Sequence, residues 1–400
     1  MNIFFILIIL VLIIVSWGYL DYSIGKKRYF NKMKKRSYPM RQSQITFIGE
    51  GEELFEQLFR DIEQAKSSIH VLFYIVKTDE TSRDFLIRLK RKAKEGVTVR
   101  LLLDWVGCFP LSRTWINELE SAGVHFSYCH RPRFPFYLYT LHQRNHRKIA
   151  VIDGSIGYLG GFNIGKEYVN QHPTLTPWRD YHIRLEGEGV ADLQTEFLYD
   201  WYRETNEQLW EEPSLFPPLP KGPISHQIVP SGGNQVEEAF RSSIQRAKNS
   251  IFIGSPYFVP SEKVFRALIG AVRRGVQLTI LVPFHSDHML VKEASYRYFR
   301  VLLPYENVTI YQYVKGFYHG KVVIIDDKVM DIGSANFDVR SMNLNHELNC
   351  FIYDKAFIQT VKDYIHRDLL LAHILTDTDL QVGFKTKVKE WTAQLVTPWL

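Results

Sequence analysis

NHRKIAVIDGSIGYLGGFN, residues 145–163, is written a second time as YHGKVVIIDDKVMDIGSAN at residues 318–336. In both copies a His is followed by Lys two positions on and by Asp seven positions on, and a small pair and an Asn close the pattern. His146, Lys148, Asp153, Gly160, Gly161 and Asn163 map onto His319, Lys321, Asp326, Gly333, Ser334 and Asn336 at a constant offset of 173, and five of the six pairs are identical. Such agreement implies a duplicated unit of chain rather than a coincidence of composition.

The duplication spreads outward from the motif. ELFEQLFRDIEQAKSSIHVLFYIV (53–76) and VEEAFRSSIQRAKNSIFIGSPYFV (236–259) each read as an amphipathic helix, a turn and a buried strand. FLIRLKRKAKEGVTVRLLLDW (85–105) and FRALIGAVRRGVQLTILVPF (265–284) each read as a helix, a Gly turn and an apolar strand, and GVHFSYCH and NVTIYQYV add a further strand ahead of each His. Helical patterns alternating with near-continuous apolar strands predict α/β halves, each a mixed β-sheet flanked by helices. A repeat this long is a duplicated half-molecule, not a solenoid unit. EEPSLFPPLPKGP (211–223), with five prolines, reads as the connector between a first half over 45–210 and a second over 224–400.

RKIAVID and KVVIID are short apolar runs that end in a turn, so each predicts a buried strand on which residues two apart share a face. His146 then projects with Lys148, and His319 with Lys321. Asp153 and Asp326 fall at the strand ends, suited to bracing the turn or a neighbouring cation. Gly161 or Ser334, with Asn163 or Asn336 two residues later, offers backbone NH groups and an amide near the same point. One such His is an ordinary packing residue; two matching sets at a seam would make a phosphate pocket with two imidazoles, two ammonium groups and two amides. Two imidazoles suit two tasks, attack on phosphorus and protonation of the leaving alkoxide, and a phosphohistidine route of this kind calls for no metal and no cofactor.

The paired H-x-K-x4-D-x6-G-[GS]-x-N motif resembles the phospholipase D superfamily over about residues 45–400. The resemblance implies one active site at the interface of the halves, with His146 as nucleophile and His319 as general acid. It also implies a carboxylate behind each His; Asp180 in WRDYHIRLEG and Glu347 in SMNLNHELN match. GSPYFVPSE, PWRDYHIRLEG, SDH…EASYRYFRVLL and the closing LVTPWL, with Gly160-Gly161 in the first motif, are similar to bacterial cardiolipin synthases. That similarity implies transfer of a phosphatidyl group from one phosphatidylglycerol to another, with release of glycerol. A lipid hydrolase or headgroup-exchange enzyme, a nuclease of the same superfamily, and a tethered non-catalytic binding protein are the competing readings.

IFFILIILVLIIVSWGYL (3–20) is long enough to cross a bilayer and predicts an anchor over 1–22, followed by a basic juxtamembrane linker over 23–44. No basic residues precede the run and no A-x-A-like site follows it, which disfavours a cleaved signal peptide. Residues 1–36 hold seven Lys/Arg against Asp21 alone, which accounts for the whole net charge of +6. The remaining 42 basic and 42 acidic groups cancel, so a globally basic nucleic-acid-binding body is disfavoured. Cations that follow the apolar run predict a single-pass membrane protein with its catalytic region in the cytoplasm, next to anionic phospholipids, and the resemblance to bacterial cardiolipin synthases implies the bacterial cell membrane. Phe134, Phe136, Tyr137 and Tyr139 among Arg131, Arg133 and Arg144 read either as a lipid entrance or as a loop packed on the second half. The three cysteines, and His285 with His288, show no zinc-like spacing.

Overall fold

The computed structural model describes residues 3–32, 35–109, 111–231, 234–381 and 383–396. The first two residues of the expected anchor, and residues 397–400 of the closing LVTPWL stretch, lie outside the described residues.

Among the described residues, fifteen strands join into one mixed sheet. From the middle outward, the first half runs Arg41–Ile48, His182–Gly187, Ile156–Gly160, Ile149–Ile152, Ser68–Phe73, Thr98–Asp104, His125–Cys129. The second half repeats that order as Ile224–Pro230, Leu348–Ile352, Val329–Gly333, Val322–Ile325, Ser250–Gly254, Gln277–Pro283, Val308–Tyr313, and adds Ala372–Ile374 at its edge. The last three of the seven shared strands are parallel in each set and the inner ones antiparallel, while the added edge strand Ala372–Ile374 pairs antiparallel. The two sets meet where Arg41, Gln42 and Ser43 pair antiparallel with His226, Ser225 and Ile224.

The chemistry of the side chains explains the layering. Ile149–Ile152 and Val322–Ile325 are wholly buried, as strands covered on both faces must be. Each half closes its own apolar core, around Phe85, Leu101 and Phe162 in one and Phe258, Leu268 and Ile310 in the other. A third core draws on both: Leu185, Leu193 and Phe197 pack with Tyr318, Ile332 and Ile365. The halves are therefore parts of one folding unit at the seam.

The helix Gly189–Thr205 carries acids at every fourth position, Asp192, Glu196, Asp200 and Glu204, which places them along one side. Arg41 meets Asp192 at 2.7 Å, Arg36 meets Glu196 at 2.5 Å, Arg147 meets Asp200 at 2.6 Å and Arg133 meets Glu204 at 2.6 Å. Gln235 and Gln227 of the second half donate to the carbonyls of Arg36 and Tyr38. The segment that follows the first helix is thus clamped across the seam.

That first helix does not stop at residue 22. It runs Ile3–Lys32, and the strand Arg41–Ile48 begins inside the expected linker. Lys26, Lys27 and Arg28 are good helix formers and suit the C-terminal end of a helix dipole. Every side chain from Phe4 to Val15 is exposed, and the segment Phe4–Tyr29 is long and apolar enough to cross a membrane. Docking begins lower down. Asp21 accepts from the Tyr139 backbone NH at 3.0 Å, and a Cβ at Gly25 would lie 2.7 Å from the Tyr139 Cβ. The aromatic loop therefore packs Tyr139 on the first helix rather than on the second half, while Phe134 stays 79% exposed.

Candidate active site

The strands of the repeated motif start later than the pattern predicts, at Ile149 and Val322, so His146, Lys148, His319 and Lys321 lie in the extended approach to each strand. Pairing across the seam holds those approaches. The His146 NH donates to the His346 carbonyl at 2.9 Å, and the His319 NH donates to the Arg179 carbonyl at 2.6 Å. Each backbone bond places a His beside the next residue of the other half, Glu347 or Asp180.

The carboxylates are exchanged accordingly. His146 Nδ1 lies 3.0 Å from Glu347 Oε2, and His319 Nδ1 lies 2.5 Å from Asp180 Oδ2. Glu347 is held by Ser334 Oγ at 2.6 Å and Ser341 Oγ at 2.9 Å, and Asp180 by the Tyr181 NH at 2.8 Å. Both acids are fully buried. Each half thus builds the support for the other half's imidazole.

His146 and His319 line one cavity of about 390 Å³. Asn163 and Asn336 line it as well; Asn163 accepts from the Ile75 NH and donates to Tyr168. The rings are packed on aromatic neighbours, His146 4.9 Å from Tyr74 and His319 4.9 Å from Trp178, centroid to centroid. Burial pushes the His146 imidazole down to about 4, with Glu347 opposing and Lys148 adding to the shift. Burial and then Lys321 lower His319, against the pull of Asp180. A bound phosphodiester would raise both, because its negative charge favours the imidazolium.

Other motif residues stand elsewhere than the strand pattern implies. Lys148 and Lys321 are buried, each donating to its own His carbonyl at 2.6 Å, and neither lines the cavity; Lys321 Nζ also lies 2.7 Å from His319 Nδ1, 3.4 Å from its Nε2 and 3.5 Å from Asp180 Oδ2. Burial lowers both amines. The NH groups of Gly161 and Ser334 are spent on the Tyr181 and Leu348 carbonyls, within or beside the sheet, and so are not phosphate donors. Asp153 and Asp326 lie at the far strand ends with φ of 50° and 53°. Asp153 accepts from the NH groups of Lys66, Ser67 and Ser68, and Asp326 from those of Lys248, Asn249 and Ser250. They brace turns and do not reach the cavity. Arg147, one position out of step with His146 and Lys148, points the other way, to Glu196 and Asp200.

The motif also missed part of the wall. Arg144, Arg340, Tyr74, Trp178, Tyr257 and Asp287 line the cavity from outside the repeat. Trp178 and Tyr257 sit in PWRDYHIRLEG and GSPYFVPSE, so an aromatic beside a buried strand was the available signal. Among the described residues no group of three His, Cys, Asp or Glu is placed to hold a metal ion.

The family model described as cardiolipin synthase, PLD-like domain, matches residues 58–201 and 240–369. The chain is 41% identical to the minor cardiolipin synthase ClsB of Bacillus subtilis over 100% of both chains. It is 38% identical to the major cardiolipin synthase ClsA of the same organism, over 89% of this chain and 75% of that one. Phosphatidylserine synthase of Haemophilus influenzae shares the fold, with a TM-score of 0.70 at 17% identity over 94% of this chain and 99% of that one. With its paired motifs brought to one cavity, the chain belongs to the cardiolipin synthase family of phospholipase D-like proteins.

Proposed function

We propose that this chain makes cardiolipin from two molecules of phosphatidylglycerol through a phosphohistidine. The observation that carries the reading is the pair of imidazoles, one from each half, on a single cavity with each Nδ1 turned to a buried carboxylate. Nε2 is then the nitrogen left for substrate. His146 Nε2 attacks phosphorus, a P–N bond forms, the P–O bond to glycerol breaks, and His319 delivers a proton to the departing oxygen. The glycerol hydroxyl of a second phosphatidylglycerol returns a proton to His319 as its oxygen attacks. The P–N bond breaks and His146 is restored. The lowered His146 imidazole is neutral at neutral pH, as a nucleophile must be. His319, lowered by burial and by Lys321, gains its proton as the anionic substrate binds.

The same reading places the first helix across the bacterial membrane, with the catalytic body on the cytoplasmic side, where Lys26, Lys27 and Arg28 lie at its inner end. Incubation of the full chain in nanodiscs with phosphatidylglycerol alone tests the activity. Cardiolipin with an equal amount of glycerol is the expected outcome. Phosphatidic acid with glycerol would replace the synthase by a hydrolase, and no lipid product would overturn both.

A further inference from the structure

The cavity wall is built differently beside the two imidazoles. On the His146 side stand Arg144 and Arg340, each set against an acid: Arg144 is paired with buried Asp104 at 3.0 Å, and the cavity carboxylate Asp338 stands beside Arg340. On the His319 side stands a carboxylate, Asp287, which accepts from the Tyr257 hydroxyl at 2.9 Å and has His288 within 3.7 Å. Its side chain is 16% exposed and belongs to a cavity-lining loop, Asp287 to Met289. The loop that follows the equivalent strand of the first half, Trp105 to Leu111, carries no acid. This carboxylate is therefore not part of the duplicated plan.

An anion repels a phosphodiester, so Asp287 has no use as a phosphate ligand. What it offers is acceptor capacity: Tyr257 fills one position of a carboxylate that can take several donors. We propose that Asp287, with Tyr257, forms a subsite for the hydroxyl groups of a polyol headgroup, and so selects the alcohol that leaves and the alcohol that enters. The inference rests on the phosphatidyl-transfer reading above. In the second step the entering alcohol oxygen bonds to phosphorus, the P–N bond to His146 breaks and the alcohol proton passes to His319. The remaining hydroxyl of a phosphatidylglycerol headgroup, or the two of free glycerol, then donates to Asp287.

The test uses the full chain in nanodiscs with acyl-labelled phosphatidylglycerol as donor, and deuterated glycerol and 1-propanol supplied together at equal concentration. Mass spectrometry reads the ratio of deuterated phosphatidylglycerol to phosphatidylpropanol. Both products come from one intermediate, so the ratio is independent of how much enzyme is folded. The wild-type chain is expected to favour glycerol, Asp287→Asn to lower the ratio about tenfold, in keeping with loss of a hydrogen bond to a charged acceptor, and Tyr257→Phe to lower it less. An unchanged ratio in Asp287→Asn overturns the subsite. An unchanged ratio with a displaced pH profile assigns Asp287 instead to electrostatic support of His319, which also overturns it. Absence of both products in the wild-type chain is a failure of the transfer reading itself, and is thereby distinguished.

Discussion

The two halves agree in strand order and in the motif residues they bring to the cavity, and differ in the acids and small residues packed behind each imidazole. Their strand orders match, both His carbonyls accept from a buried lysine, and both turns are braced by an aspartate that takes three backbone NH groups. Their carboxylates do not match. In the first half Asp180 lies so close over Gly161 that an added Cβ would be 2.0 Å from Oδ1. In the second half the longer Glu347 leaves room for Ser334, which donates to it. The departure from Gly-Ser to Gly-Gly in the first motif is thus the mark of a shorter acid standing nearer the strand. Duplication supplied the frame, and divergence made two equivalent imidazoles unequal.

The largest effects are expected at the imidazoles. His146→Ala and His319→Ala should each lower turnover of phosphatidylglycerol by about a thousandfold or more. A donor with a nitrophenol headgroup should separate them, because nitrophenolate leaves without a proton. His319→Ala should then still release a burst of nitrophenolate and carry a trapped phosphoryl group, and His146→Ala should do neither. A burst in the opposite variant would exchange the roles.

The exchanged carboxylates come next, with losses of about a hundredfold or more for either amide. The pH profile of kcat/KM gives the sign. Glu347 raises the imidazole of His146, so Glu347→Gln should lower that group further, carry the acid limb to lower pH and widen the profile. Asp180 raises His319, so Asp180→Asn should carry the alkaline limb to lower pH and narrow the profile. Profiles that shift alike in both variants would mean that the halves share one role.

A smaller contrast lies in the small residues. Ser334→Gly removes one donor to a buried acid and should cost activity about tenfold. Gly161→Ser should cost more, since its Cβ has no space beside Asp180. Both can be read from turnover and from thermal unfolding of the same preparations.

The smallest effect belongs to the turn braces. Asp153→Asn and Asp326→Asn should lower the melting temperature by a few degrees while leaving turnover per folded molecule unchanged. Burial raises the Asp153 carboxyl, the NH groups of Ser68, Ser67 and Lys66 lower it more, and the net shift is downward. Its contribution is therefore present above the usual carboxylate range and is lost as pH falls through the lowered value. Stability that falls equally at acid pH in wild type and Asp153→Asn would remove this assignment.

Much of this was legible in the chain because it is local or repeated. Alternating helix and strand patterns identify the halves, and the His-x-Lys spacing identifies the imidazoles, since both follow from backbone periods of a few residues. The two acids could be named, but not paired. Asp180 lies 34 residues after His146 and Glu347 lies 28 after His319, which makes each look like the partner of its own half. A strand period puts each lysine on the same face as its His, which predicts a cavity ammonium group. In the fold both lysines end buried on their own His carbonyls, and Lys321 also touches the His319 ring.

The amino-acid order by itself determined a duplicated α/β chain, two His-Lys-Asp sets and an apolar helix able to span a bilayer, since each is a pattern of neighbours. Only the tertiary structure decided that the two sheets become one and that each imidazole takes its acid from the opposite half. It likewise decided that Tyr139 seats on the first helix. Those features depend on backbones separated by a hundred residues or more being brought within hydrogen-bond distance, and no local spacing records such an approach.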